Sequence, residues 1–256
     1  MSYSRLLLHQ FRSDIARFWR NPQSRYFTGL MPIVFLVIFA TIFKGSTLVD
    51  GRLIKVTTFY VPGIMALGII SASFVYLSQA IVTQRENGEF KRLRGTPLPA
   101  SLVICSRAAV GVVVAIAMSA LLLLIGRLLY NVPIPHSTLP GLVVSIVVGA
   151  AAFSCIAFAV TTRISTAEAA APVINLLVLP LYFISGVFVP ESQIPRGLRA
   201  IAAVFPIRPL AQSLRGAFIQ TTGSGLALSH LLVLAAWGIA GLLVAARRFQ
   251  WTPRGD

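Results

Sequence analysis

The side chains able to do chemistry are few in this sequence, and they do not converge. His9, His136 and His230 lie in three separate regions, with no metal-ligand spacing among them. Cys105 and Cys155 sit in or beside different apolar stretches and form no Cys-x-x-Cys, so buried free thiols are expected. Neither Gly-x-Ser-x-Gly nor His-Glu-x-x-His occurs. A phosphate-binding loop needs Gly-Lys before Ser or Thr. The only lysines, Lys44, Lys55 and Lys91, each follow Phe or Ile. The expectation is a chain with no catalytic residues, no metal and no cofactor of its own.

What stands out instead is the stretch QRENGEFKRLRGTPLP, Gln84 to Pro99. Charged residues make up 11% of the chain, yet six of the ten positions from Arg85 to Arg94 are charged. Glu89 precedes Arg92 by three residues, a favourable helical pair, and Phe90 and Leu93 share a face. Gly95, Pro97 and Pro99 then stop the helix abruptly. A short, rigid, charged helix with two apolar knobs suits docking into a cleft on a partner. A solvated loop would account for the arginines but not for Glu86, Glu89, Phe90 and the Gly-x-Pro-x-Pro stop.

The elements that position this stretch are membrane helices. The chain has 256 residues, 56% of them hydrophobic, with a mean hydropathy of +0.82. That leaves too little polar surface for a soluble domain. Five runs lack Asp, Glu, Lys and Arg: Phe27–Phe43, Tyr60–Val82, Leu139–Val160, Ala169–Val189 and Leu226–Ala246. A sixth, Ala108–Gly126, is bracketed by Arg107 and Arg127. A bilayer core takes about 20 helical residues. The expected fold is therefore an all-α integral membrane protein with six spans, about 27–43, 60–82, 105–129, 139–161, 168–189 and 226–246. Six spans put both termini on one side. That side carries five Lys or Arg before Phe27, five in 83–107, Arg163 and three at the C-terminus, against eight on the other. The positive-inside rule places the termini and the charged stretch in the cytoplasm. The net charge of +15 fits contact with anionic membrane lipids; no soluble basic domain is present to hold nucleic acid.

Residues 1–25 form no cleavable signal, since five arginines are spread through them. Leu7, Leu8, Phe11, Ile15, Phe18 and Trp19 fall in one helical arc, with Arg12, Ser13, Arg17 and Arg20 opposite. That pattern predicts an amphipathic helix in the membrane interface ahead of the six-span domain, 26–256. Glu168 is the obvious acid near a span, but Ser165-Thr-Ala-Glu168 is a capping-box pattern, with Ser165 as N-cap. Within the spans stand only Ser, Thr, Asn175 and Gln79, so ion coupling inside this chain has no group to use. A channel would need a polar ring, and a membrane enzyme a cluster of acids, bases or ligands; both are missing. Energy, if any, comes from outside.

Between spans five and six, Leu198, Ile201, Ala202 and Phe205 share one helical face, as do Leu210, Leu214 and Phe218. Pro206 and Pro209 are expected to break the helix between them. Such a pair could re-enter the outer leaflet, with Arg196, Arg199, Arg208 and Arg215 snorkelling to headgroups.

The sequence resembles the permease subunits of ABC-2 type exporters, particularly the bacterial drug- and antibiotic-resistance branch. RENGEFKRLRGTPLP is similar to the family's segment between spans two and three. LPLYFISGVFVPESQIPRGLRAIAAVFPIRPLAQSLRGAF, Leu179 to Phe218, resembles its second signature, a Ser-Gly turn, a Pro, an Ile-Pro and a Pro-containing break. The six-span layout extends the resemblance over essentially the whole chain. It implies a coupling helix that inserts into a separate ATP-binding subunit, with Arg85, Glu86, Gly88, Glu89, Phe90, Arg92, Leu93 and Arg94 at that contact. The amphipathic helix, through Phe11, Arg12, Ile15, Phe18 and Trp19, would flank it. An outer gate would include Ser185, Gly186, Pro190, Pro195, Phe205, Pro206 and Pro209. The resemblance further implies two ATP-binding subunits carrying ATP and Mg, a second permease copy, identical or related, and a place in the bacterial cell membrane. Phe74, Tyr76, Asn175, Tyr182 and Phe183 are candidates to line a cavity for an amphipathic drug-like or lipid-like cargo. A lipid-linked glycan or glycolipid is the alternative cargo, and a non-transporting membrane scaffold the alternative function.

Overall fold

A computed structural model describes residues 3–22, 26–43, 45–49, 52–95, 99–219 and 223–248. Helix α1, Tyr3–Arg20, is followed by a π turn, Tyr26–Leu30, that runs into α2, Met31–Ile42. Pro32 at the start of α2 lacks only an amide that a first turn leaves unused, so it does not bend the helix. An antiparallel hairpin, β1 Ser46–Val49 and β2 Arg52–Lys55, pairs Ser46 with Lys55 and Val49 with Arg52. It interrupts an otherwise helical chain among the described residues. Its sequence signal is Asp50-Gly51 between short β-favouring runs, which the apolar-run reading passes over.

Helix α3, Val56–Ile70, continues through a π segment, Ser71–Tyr76, into α4, Leu77–Glu86. The three make one uninterrupted 31-residue helix. Then come α5, Glu89–Arg94; α6, Ala100–Tyr130; α7, Leu139–Thr161; and α8, Ala167–Ile184. A 3₁₀ turn, Glu191–Gln193, leads to α9, Arg196–Val204, then α10, Ile207–Ile219, and α11, Leu228–Arg248. Five helices are long and apolar enough to cross a membrane: Val56–Glu86, α6, α7, α8 and α11. The first expected span is shorter, an apolar helix over Thr28–Ile42. The fold is an all-α membrane architecture.

The third expected span grows at both ends, to 100–130, because Pro99 is already the residue before its first turn. The fifth ends earlier than expected, at Ile184, where Ser185 and the left-handed Gly186 turn the chain.

The core is a continuous apolar cluster in which Leu36, Ile64, Met65, Ile69, Leu122, Ile174, Leu210 and Leu234 are all fully buried. Leucines of the opposite helix faces are exposed, as Leu128, Leu176 and Leu232 are. That inversion of a soluble surface suits a hydrocarbon solvent. Helix α11 lies against α7 through Gly238, facing Ala152, and Gly241, facing Cys155 and Ile156. Small residues there allow the close backbone approach that membrane helices use in place of a hydrophobic drive.

The turn after α8 is seated on α3 by another close approach. A Cβ on Gly63 would stand 2.5 Å from the Val187 carbonyl oxygen, so Gly63→Ala must push backbone against backbone. That variant should lose about 1–3 kcal/mol, read as a lower midpoint in thermal unfolding of the detergent-solubilised chain. Gly197 in α9 meets nothing within 4 Å, and Gly197→Ala should leave the midpoint unchanged or raise it by the equivalent of about 0.5 kcal/mol.

Candidate coupling site

Two adjacent residues at the end of α4 close the site's inner side. Arg85, 3% exposed, donates Nη1–H to the Thr161 carbonyl at 2.9 Å and Nη2–H to the Ile164 carbonyl and, at 3.4 Å, to Ser165. Carbonyls at a helix C-terminus lack intrahelical donors and carry partial negative charge, so a cation belongs there. Glu86 does the complementary work on the next helix: its Oε2 accepts the Ala167 amide at 2.7 Å, at the start of α8. One charge of each sign thus holds the two ends of the α7–α8 junction. The cap of α8 is Thr166, extended at φ −121°, whose Oγ1 accepts the Ala169 amide at 3.3 Å. Expected as N-cap, Ser165 lies one residue too early, and Glu86 supplies from another helix the carboxylate expected from Glu168.

The chain then reverses at Asn87-Gly88. Gly88 precedes α5 in the left-handed region, φ +69°, where a side chain is strained. It points α5 back across the bundle end. Phe90 is fully buried, and the Arg107 guanidinium lies 4.9 Å from its ring centroid, a cation–π contact. Leu93 is half-buried against the main core. Arg85 and Phe90 therefore position α5 from inside the chain and are not exposed contact residues. The outward positions are Lys91 and Arg92, both exposed, with Glu89 at the edge. The side chain of Arg94 and the Thr96–Leu98 part of the expected stop lie outside the described residues. Gly95 caps α5, its amide reaching the carbonyls of Arg92 and Leu93.

Helix α1 is docked to this element. The Arg17 guanidinium forms an ion pair with Glu89 of α5. The Asp14 carboxylate, buried, accepts Ser106 Oγ–H of α6 at 2.7 Å and the Gln10 amide at 3.2 Å. Phe18 is buried edge-to-face against Tyr76, centroids 5.0 Å apart, and Phe11 and Ile15 pack beside it on Val110 and Val114. Only part of the expected lipid-facing arc stays outward, with Trp19 and Leu8 exposed and Arg12 exposed beside them. The inward acid Asp14 escaped a reading that sorted the helix only into apolar and basic faces.

At the opposite end of the bundle, α9 and α10 form the expected helical pair, with two changes. The break falls at Phe205-Pro206; Pro209 sits in the first turn of α10, where its missing amide leaves no bond unmade. The arginines, apart from exposed Arg196, turn inward. Arg208 pairs with Glu191, Nη2 to Oε2 at 2.9 Å, and donates to the Arg199 carbonyl at 3.3 Å. Arg199 donates to the Ile194 carbonyl at 2.9 Å. Arg215, 5% exposed, donates to the Gly186 carbonyl and lies 4.2 Å from the Phe59 ring centroid. Arginines snorkel only where no nearer acceptor exists, and here the loop's own carbonyls are nearer. Pro190 and Pro195 precede the 3₁₀ turn and α9, Ser185 is buried, and Phe205 stacks on Trp237 at 6.4 Å.

The five cargo candidates do not line one cavity. Phe74 and Tyr182 are buried against Phe153 and Phe188. Tyr76 faces α1, while Asn175 and Phe183 point outward from α8. Among the described residues, no group of three or more His, Cys, Asp and Glu could hold a metal ion.

The sequence model of the ABC-2 type transporter family matches residues 6–219, from α1 to the end of α10. The chain belongs to the ABC-2 type transporter family. It is thus a multi-pass transmembrane component of an ABC transporter, from a family that works with an ATP-binding subunit. No curated protein matches the chain.

In this ABC-2 chain the strap between α8 and α11 carries an acid whose pKa is shifted, Glu191. Burial raises its pKa, but the hydrogen bonds and charge of Arg208, with Gln212 at 2.7 Å, outweigh that and leave it below the usual glutamate value. A carboxyl depressed on folding stabilises above its unfolded pKa, near 4.3, and the gain disappears as pH falls through the lower folded value. At pH 6, Glu191→Gln should lower stability by about 1 kcal/mol after solvent screening. The difference from wild type, measured by thermal unfolding, should narrow steadily below about pH 4.3.

Proposed function

We propose that this chain is the permease half of an ATP-driven exporter, with α5 as the helix that docks into a separate ATP-binding subunit. The observation that carries this is the rigid presentation of α5. Its inward residue Phe90 is locked under Arg107, its base is tied to the α7–α8 junction by Arg85 and Glu86, and Lys91 and Arg92 are left exposed. A closing ATPase pair needs such a handle, because a limp loop would absorb the motion that must reach the membrane. Two permeases, identical or related, and two ATP-binding subunits make the complex, with ATP and Mg held on the partner. Both termini face the cytoplasm of a bacterial cell, and the first span is the shorter helix beginning at the π turn. The cargo is an amphipathic drug-like or lipid-like compound leaving the cytoplasm or inner leaflet; the apolar, uncharged spans support it.

The tagged chain, purified from its own host in mild detergent, should bring down a stoichiometric ATPase with Walker motifs. The double variant Lys91→Glu, Arg92→Glu should lower permease-stimulated ATP hydrolysis at least tenfold while its thermal midpoint stays that of wild type. Full stimulation by the double variant would place the docking face elsewhere. A chain that emerges alone from several detergents would overturn the partnership.

A further inference from the structure

A shallow, open-sided cleft runs between α1, α4 and α6, beside the docking face and not on it. Its chemistry is graded. At the end near α5 its walls carry Asp14, Arg17, Gln84 and Arg107; further along α4 and α6 they become apolar, with Phe18, Leu77, Val110 and Val114. Depth along α6 is depth into the membrane, so the grading follows a lipid from headgroup to chain.

The polar end contains groups that the protein does not satisfy itself. Arg107 is 5% exposed and makes no ion pair among the described residues. Its Nε has no hydrogen-bond partner. Phe90 covers one face of the guanidinium and offers no acceptor. Burying a guanidinium N–H without an acceptor is expensive. Gln84, 8% exposed, has the opposite defect, since its Oε1 accepts nothing. Asp14 accepts hydrogen bonds from the neutral donors Ser106 and Gln10 and is the nearest carboxylate charge acting on Arg107, without a hydrogen bond between them. Arg17 is already neutralised by Glu89, which leaves one cation, Arg107, and one anion, Asp14, in the cleft. These two charges already balance, so an occupant that meets the unpartnered Arg107 Nε–H and Gln84 Oε1 without upsetting that balance carries both an anionic acceptor and a cationic N–H donor.

We propose that the cleft binds one glycerophospholipid with a phosphoethanolamine headgroup. Its phosphate meets Arg107, its primary ammonium turns toward Asp14 and the Gln84 oxygen, and one acyl chain follows Phe18, Val110 and Val114. Phosphocholine has no N–H to give Asp14, and phosphoglycerol has no cation at all, so the charge pattern selects between headgroups. The inference rests on the membrane placement of α6 and is independent of the ATPase partner.

The test offers the full-length chain equimolar phosphatidylethanolamine, phosphatidylcholine and phosphatidylglycerol of identical acyl chains, and counts retained lipid by native mass spectrometry. Wild type should keep one phosphatidylethanolamine per chain, at least tenfold over the other two. Asp14→Asn should bring the ethanolamine and choline lipids within twofold of each other, and Arg107→Gln should lose both. Should Arg107→Gln fail to fold, Val114→Phe fills the apolar half, leaves the charges intact, and should release the lipid. Equal retention of all three lipids by wild type, or full retention by a folded Val114→Phe, would overturn the site. Preference for phosphatidylglycerol would make the cleft a simple anion site and reject the ethanolamine assignment.

Discussion

The pairing of Arg85 and Glu86 with the two ends of the α7–α8 junction is the contact on which the arrangement of this bundle end depends. A helix C-terminus and the following helix N-terminus leave orphan carbonyls and amides close together. The neighbouring side chains of α4 meet one set each. Because the two residues are consecutive, their attachment fixes both the height and the rotation of the last turn of α4. Gly88 follows two residues later, so the direction of α5 is inherited from that attachment. Helix α1 adds a second support from the side, through Arg17 on Glu89 and Asp14 on Ser106.

The same constraint governs the far end. Charged side chains near a low-dielectric interior persist only where acceptors surround them, and the strap between α8 and α11 provides them from its own backbone. Arg215 and Arg199 end on carbonyls of the loop, while Arg208 is shared between a carbonyl and Glu191. The strap is a hydrogen-bonded unit for this reason. Its apolar side reaches the body of the protein through Gly63 and through the stack of Phe205 on Trp237.

Much of the fold was readable from the chain. Charge-free runs mark the five long helices, because a bilayer-length apolar helix needs about twenty such residues, while the shortest run, Phe27–Phe43, gives only the shorter helix over Thr28–Ile42; the dense charges of 85–94 mark the turn where α5 stands. The helical pair α9 and α10 was visible in the spacing of Leu198 and Ile201 and of Leu210 and Leu214. What could not be read was direction. Periodicity shows that Phe90 and Leu93 share a face, but not that the face is turned inward under Arg107. Arg85 and Glu86 look like solvated loop charges until the α7–α8 junction is seen beside them, 76 to 81 residues away in sequence. Asp14 was hidden for the same reason. Such contacts between distant segments leave no local pattern, whereas caps and turns do. The hairpin was different: its Asp50-Gly51 signal is present, but it stands between runs too short for hydropathy to mark.

The continuity of the helix from Val56 to Glu86 makes it mechanically a rod. Gly63, near one end, bears on the strap after α8 at Val187; Glu86, at the other, bears on the α7–α8 junction. At 1.5 Å per residue the two bearings lie about 35 Å apart, and a tilt of about 5° at one displaces the other by about 3 Å. The π segment Ser71–Tyr76 is the one place where the winding of the rod changes, and a π turn packs less regularly than the α-helix around it. Any give in the rod is concentrated there, midway, where Ser73 and Phe74 are buried and where no loop exists to take up slack.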